Sequence, residues 1–244
     1  TVPGAEDDGT TVLEAGLPAG TGELSDNIPN NDNSETTSGT ITFTASDTPV
    51  TISVGGQPVV IAGVDQTDLT VDGAFGELTL DLTNVATGSI GYSYTLDANI
   101  DHDDAVADSD TFAVVVTDED GDSANGSLVI AITDDGPEAV ADSQTINASA
   151  TEATGNVLTN DVAGADDEST TVVGVAVGNT GADLDNAATV GDGTITGTGI
   201  TGTNGTLYMA STGAYTFVPN ADAENFTETC TYTIKDSDST LSNT

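Results

Sequence analysis

The chain has 244 residues, with 41 acidic side chains against a single Lys or Arg, for a formal net charge of −40. Nucleic-acid binding is thereby excluded, because nothing here can neutralise phosphates and release their counterions. An anionic membrane surface is an equally poor partner, and no apolar run approaches the ~18 residues of a membrane-crossing helix. The length accommodates two ordinary domains, not two domains plus a large catalytic module. Aromatics make up 4%, Trp is absent and Gly numbers 28. A composition led by Thr, Val, Asp, Gly and Ala favours strands and tight turns over helices. The lone Cys230 excludes an intramolecular disulfide. No signal-peptide pattern marks the opening TVPGAEDDG, which reads as the interior of a longer chain.

In chain order, residues 1–35 are polar and loop-rich, with one apolar strip at Thr11–Leu13. Period-two alternation then predicts strands over Thr40–Ala45, Val50–Val54, Pro58–Ala62, Leu69–Val71, Glu77–Leu82, Gly91–Leu96, Phe112–Val116 and Leu128–Ile132. In the second half it predicts Ala139–Ile146, Thr171–Val177, Gly193–Thr196, Thr206–Met209, Ala214–Val218 and Cys230–Ile234. Short alternating runs separated by Gly, Asp and Asn turns indicate an antiparallel sandwich.

The two halves repeat one another. Gly76-Glu77-Leu78-Thr79-Leu80 matches Gly205-Thr206-Leu207-Tyr208-Met209, and Tyr92-Ser93-Tyr94 matches Tyr215-Thr216-Phe217. Phe112, Val114, Val116, Asp118 and Asp120 match Cys230, Tyr232, Ile234, Asp236 and Asp238 at a constant offset of 118 positions. The expected fold is therefore all-β: two tandem Ig-like antiparallel β-sandwich domains, residues 1–136 and 137–244, in an elongated arrangement. The first copy continues after its acidic turn into a last strand, whereas the second stops at Leu241-Ser242-Asn243-Thr244, so its last strand is expected to be missing and its sheet edge unpaired. Cys230 takes the inward position of Phe112 and is expected as a small buried hydrophobe. His102, in the acidic loop DHDDAVADSD, is expected to be solvated.

A compact chain of one charge sign repels itself, and salt or bound cations must offset that repulsion. Most of the Asp residues are read as a solvated acidic surface and a minority as ligands of a divalent cation. Calcium takes six to eight oxygen ligands, brought together by tight turns. Asp118, Asp120 and Asp122 surround Gly121 in such a turn. It is not an EF-hand loop, since the twelfth position from Asp118 is Val129 rather than Glu. The alternative is a hairpin turn that merely favours Asp and Gly. An up-and-down strand count brings Asp118, Asp120 and Asp122 beside Asp7 and Asp8, and Asp103 and Asp104 beside Asp134 and Asp135. It also places Asp236 and Asp238 at the start of the second domain. These clusters are expected to converge on Thr133–Asp142, TDDGPEAVAD, where Asp134, Asp135, Glu138 and Asp142 form a Ca2+ clamp at the joint between domains.

The run DTFAVVVTDEDGDSANGSLVIAITDDGP, with YSYTLDANIDHDD before it, resembles the end of an extender repeat of bacterial RTX adhesins. GNVLTNDVAGAD with NGTLYMASTGAYTFVPNADAENFTETCTYTIKDSDS is similar to their cadherin-like, VCBS-type repeats. The resemblance covers the chain from about Leu69 onward. It implies Ig-like sandwiches in tandem, type I secretion, retention at the bacterial cell surface and calcium-stiffened linkers. It further implies a monomeric spacer whose partners are neighbouring repeats of the same chain, projecting adhesive domains for attachment and biofilm formation. Two departures matter: the glycine-rich calcium-binding nonapeptides are absent, and the second acidic turn, KDSDST, lacks the Gly and third Asp of the first.

Three other readings compete. A carbohydrate-binding module needs exposed aromatic platforms, and the chain has no Trp and places most Tyr and Phe on inward faces. A glycosidase needs paired carboxylates in a deep cleft, which small sandwiches with acids at their poles do not suggest, so no enzyme is expected. The second domain could also be a scaffold split by an inserted ligand-binding domain.

Overall fold

Alternating apolar residues on Glu77–Leu82 and Gly91–Leu96 become the inward face of a sheet, with Leu78 opposite Tyr94 and Leu80 opposite Tyr92. The computed structural model describes residues 10–24, 32–66, 69–100, 102, 108–147, 149–165, 170–181, 184, 190, 191, 193, 198–236 and 241–243. Two units divide the chain, one reaching to Asp135 and the other beginning at Gly136.

Unit 1 contains β1 (Thr11–Leu13), the single helical turn α1 (Thr21–Leu24), β2 (Thr36–Thr42), β3 (Thr51–Val54), β4 (Gln57–Ile61) and β5 (Val64–Asp65). It continues with β6 (Thr70–Asp72), β7 (Gly76–Asp81), β8 (Ser89–Leu96), β9 (Ser109–Thr117) and β10 (Ser123–Thr133). One sheet has the order β1-β10-β9-β3-β4-β5 and the other β2-β8-β7-β6. β1 runs parallel to the end of β10, and the remaining pairs are antiparallel. The order β10-β9-β3, extended by β4 and β5 on one side and by β1 on the other, over a second sheet, is an immunoglobulin-like arrangement. Between the sheets, Ile52, Leu78, Ile90, Tyr94, Leu128 and Ile130 are wholly buried. Each contributes about 1.5–3 kcal/mol by leaving water. Tyr94 and Phe112 meet edge to face, with ring centres 6.2 Å apart.

Unit 2 contains β11 (Ala153–Asn156), β12 (Thr171–Val177), β13 (Ile200–Thr201), β14 (Gly205–Met209), β15 (Ala214–Pro219), β16 (Cys230–Lys235) and β17 (Leu241–Asn243). Its sheets are β11-β15-β14-β13 and β12-β16-β17. Asn156 caps the turn after β11 by accepting from Leu158 N at 2.8 Å. The core is built from Val157, Val172, Val175, Leu207, Met209, Tyr232 and Ile234. The order β11-β15-β14-β13 follows β2-β8-β7-β6, and β12-β16-β17 follows the β3-β9-β10 part of the other sheet, with no counterpart of β1, β4 or β5 among the described residues. The pair Leu78–Tyr94 has its counterpart in Leu207–Phe217. Thr117–Ser123, Val116–Ala124 and Val115–Asn125 have theirs in Lys235–Leu241, Ile234–Ser242 and Thr233–Asn243, each shifted by the offset of 118.

Four expectations need correction. β2 begins at Thr36, ahead of the predicted Thr40, because the polar run Thr36–Gly39 pairs with Tyr92–Thr95 of β8. Ala139–Ile146 forms no strand: its only ladder contact among the described residues is the neighbouring bridge Glu138–Val162. The last strand of the second copy is not wholly missing, since Leu241–Asn243 pairs with β16. Cys230 is half-buried rather than fully buried. Burial first, then the Glu228 charge, pushes its thiol up to about 11, so it is unreactive as a thiolate at neutral pH.

Candidate metal centre

The hairpin between β9 and β10 holds one acidic cluster. Gly121 adopts φ +96°, a left-handed conformation that glycine takes without a Cβ penalty. Asp118 N donates to Asp122 O at 3.0 Å, and Asp122 N donates to the Asp118 carboxylate at 3.0 Å. Because Thr51 of β3 lies opposite Thr117 of β9, the loop before β3 reaches the hairpin and delivers Asp47. One carboxylate oxygen each from Asp47, Asp118 and Asp120 lies within 4.8 Å of the others. The Asp118 carboxyl is raised above the ordinary Asp value, first by its hydrogen bond with Asp120 and then by burial and the Asp120 charge. This all-oxygen set, open to solvent, is of the donor type that hard cations take. Asp122 is exposed, and its backbone serves the turn.

A second cluster lies at the other end of β10. The parallel pairing of Leu13 with Thr133 brings Glu14 beside Asp134. Glu14 is fully buried and accepts from Ile100 N at 2.6 Å. Its other oxygen is 3.2 Å from His102 Nε2, and His102 Nδ1 is 3.5 Å from Asp108. Glu14, His102 and Asp134 each offer a ligand atom within 4.8 Å of the others. His102 is therefore not a solvated residue. Burial alone would lower its pKa, but the charges of Glu14, Asp134 and Asp108 outweigh it and raise the imidazole above its ordinary value. Asp135, also buried, accepts from Thr21 N at 2.6 Å and from the Thr21 hydroxyl, which fixes the start of α1.

In unit 2 the carboxylates of Asp142 and Asp161 both accept from the Tyr232 hydroxyl, at 3.0 and 3.1 Å. Asp161 also accepts from Val140 N at 2.7 Å. Burial raises both carboxyls, and for Asp161 the Asp142 charge adds to it; the hydrogen bonds from Tyr232 and Val140 act in the opposite direction. Tyr232 is pushed strongly upward by burial and the same two charges. Glu138 is exposed and bridges Val162 through its backbone at 2.9 and 3.0 Å. Asp236 is buried at the end of β16. Asp7, Asp8, Asp103, Asp104 and Asp238 lie outside the described residues.

Sequence reasoning missed Asp47, Glu14, His102 and Asp161 as members of these groups. Asp47 and Glu14 join through strand pairing, Asp161 through the Tyr232 hydroxyl and His102 through its contacts with Glu14 and Asp108, none of them through a local motif. The signal for Asp47 is weak: an acid four residues before a strand that pairs with the hairpin's own strand.

No family model and no curated protein matches this chain. Among solved structures, it is similar to the human desmocollin-1 ectodomain with a TM-score of 0.26 and 13% identity, over 96% of this chain and 34% of that one. It is also similar to the D00–D0 domain of intimin, with a TM-score of 0.29 and 11% identity, over 98% of this chain and 95% of that one. The chain thus spans about a third of the desmocollin ectodomain. At these scores the likenesses carry no argument about fold or function.

Proposed function

We propose that this chain is a structural spacer of a secreted bacterial cell-surface adhesin, made of repeated Ig-like sandwiches whose acidic clusters bind calcium. The observation that supports it most is the repetition itself: unit 2 repeats the order of the β2-β8-β7-β6 sheet and of the β10-β9-β3 part of the other, and keeps the register of the last hairpin. A chain that builds one scaffold twice, with its acids gathered on loops, is suited to length rather than to chemistry. The adhesin assignment, type I secretion and biofilm role rest on the resemblance of Asp110–Pro137 and of Gly155 onward to RTX extender repeats. The calcium assignment rests on the oxygen-only trio Asp47, Asp118 and Asp120.

Calorimetric titration with Ca2+ tests this, comparing the chain with Asp118→Asn/Asp120→Asn. Saturable binding by the parent and its loss in the variant support the reading. Equal heats from both chains, or equal heats from Mg2+, which demands tighter octahedral geometry, count against it.

A further inference from the structure

We propose that Glu14, His102 and Asp134 form a site for a borderline transition cation of the Zn2+ class, at the opposite end of β10 from the acidic hairpin. Three separate segments deliver the donors. β1 runs parallel to the end of β10 with Leu13 opposite Thr133, so the next residue on each, Glu14 and Asp134, are neighbours. Ile100 follows β8, is buried, and donates its N–H to Glu14 Oε1 at 2.6 Å. That bond fixes the carboxylate and sets His102, two residues on, against its other oxygen, with Nε2 at 3.2 Å from Glu14 Oε2. One ligand atom from each of Glu14, His102 and Asp134 lies within 4.8 Å of the other two.

The imidazole is the group that points to a metal. Its side chain is only 9% exposed. Among the described residues its buried Nε2 makes no hydrogen bond, although a carboxylate oxygen stands 3.2 Å away. The ring nitrogen is directed past that oxygen rather than at it. Two donors held by one tetrahedral Zn2+ at about 2.0–2.1 Å stand roughly 3.3 Å apart, close to the spacing found here. The other ring nitrogen, Nδ1, lies 3.5 Å from the Asp108 carboxylate. A metal-bound histidine turns its second nitrogen to a carboxylate in this way, which fixes the tautomer and leaves Nε2 as the donor.

Charge and donor type then select the cation. Residues 1–135 contain no Lys or Arg. Glu14, Asp134 and Asp108 face a single imidazole, whose protonation offsets at most one of their three charges. Buried charge of one sign is costly, and a divalent cation offsets two. Ca2+ and Mg2+ take oxygen ligands, whereas imidazole with carboxylates suits Zn2+ and its neighbours. The hairpin trio Asp47, Asp118 and Asp120 offers no nitrogen, so the two ends of β10 differ in the metal they favour.

The chain's single His makes the test direct. The whole chain, with its histidine labelled with nitrogen-15, is titrated with cadmium-113 and then with Zn2+, both in excess Ca2+. The expected result is one-bond cadmium–nitrogen coupling at His102 Nε2, saturating at one equivalent, and displacement of the cadmium by Zn2+. The affinity should fall at least tenfold in Asp134→Asn and stay unchanged in Asp118→Asn/Asp120→Asn. No coupling, coupling through Nδ1, equal affinity in Asp134→Asn, or binding that excess Ca2+ abolishes overturns the proposal. The coupling is read on the parent chain, so it decides the outcome even where a variant folds poorly. Loss of the hairpin site leaves every one of these readouts in place, so failure of the calcium reading and failure of this one are distinguishable.

Discussion

Tyr94 donates a hydrogen bond to Asp110 at 2.6 Å in the interior of unit 1, and both residues are buried. The same carboxylate accepts from Ala74 N at 2.7 Å and Phe75 N at 3.1 Å, so one acid closes the β6–β7 turn and anchors β8. Asp110→Ala leaves three donors without this acceptor, the buried Tyr94 hydroxyl among them. Its expected cost is about 3 kcal/mol or more, read as a lower denaturation midpoint in urea with unchanged slope. Tyr94→Phe removes one donor and leaves Asp110 two partners, and is expected to cost about half as much.

High pH should unfold the chain through its buried tyrosines. Burial, with Asp110 for Tyr94 and with Asp161 and Asp142 for Tyr232, raises both phenols above their ordinary value of 10.0. A raised folded pKa means that the stability is fully present below the unfolded value and is lost as pH rises past it. Circular dichroism should therefore show a decline that steepens near pH 10 (about the unfolded phenol value), beyond the shallower losses expected above neutrality from His102 and Cys230, whose folded values are also raised. Tyr94→Phe should flatten part of that decline.

Asp142 and Asp161 share one hydroxyl, and both carboxyls are raised. The sign is the reverse of a salt-bridged Asp: their contribution favours folding below the ordinary Asp value of 3.8 and is lost as pH climbs through the folded values. In chelator at neutral pH, Asp142→Asn keeps an acceptor for Tyr232 and removes a like charge, so the melting temperature of the chain should stay level or rise. A fall would show that the Asp142 charge itself holds unit 2 together.

Gly121 turns the acidic hairpin at φ +96°, with no atom within 4 Å of the Cβ an alanine would add. Gly121→Ala therefore tests conformation without a clash and should cost about 1 kcal/mol. Gly39→Ala contrasts with it, because its added Cβ would stand 2.5 Å from the Tyr92 hydroxyl. It should be destabilising to a degree that Tyr92→Phe partly relieves.

The strands were legible where one face is buried. Leu78, Leu80, Tyr92 and Tyr94 alternate because water lies on one side of their sheet and the core on the other. β2 was misplaced because Thr36–Gly39 is polar on both faces, and its pairing is decided by β8. Ala139–Ile146 carries the alternation of a strand but joins no ladder among the described residues. The site was less legible for a related reason. The hairpin acids could be read from Asp118–Asp122, since a turn is local. Asp47, Glu14 and Asp161 reach their clusters through pairings 50 to 120 positions away in the chain or through a shared tyrosine, and no motif announces them.

The calcium claim is tested most directly by differential scanning calorimetry in Ca2+, in Mg2+ and in chelator, at matched ionic strength so that screening of the −40 charge is held constant. At a hundredfold excess over the dissociation constant, one site should add about 2.7 kcal/mol, or roughly 10 °C for a unit of this size. That rise is expected in Ca2+ alone, and its loss in Asp118→Asn/Asp120→Asn. An unchanged melting temperature, or the same rise from Mg2+, would contradict it.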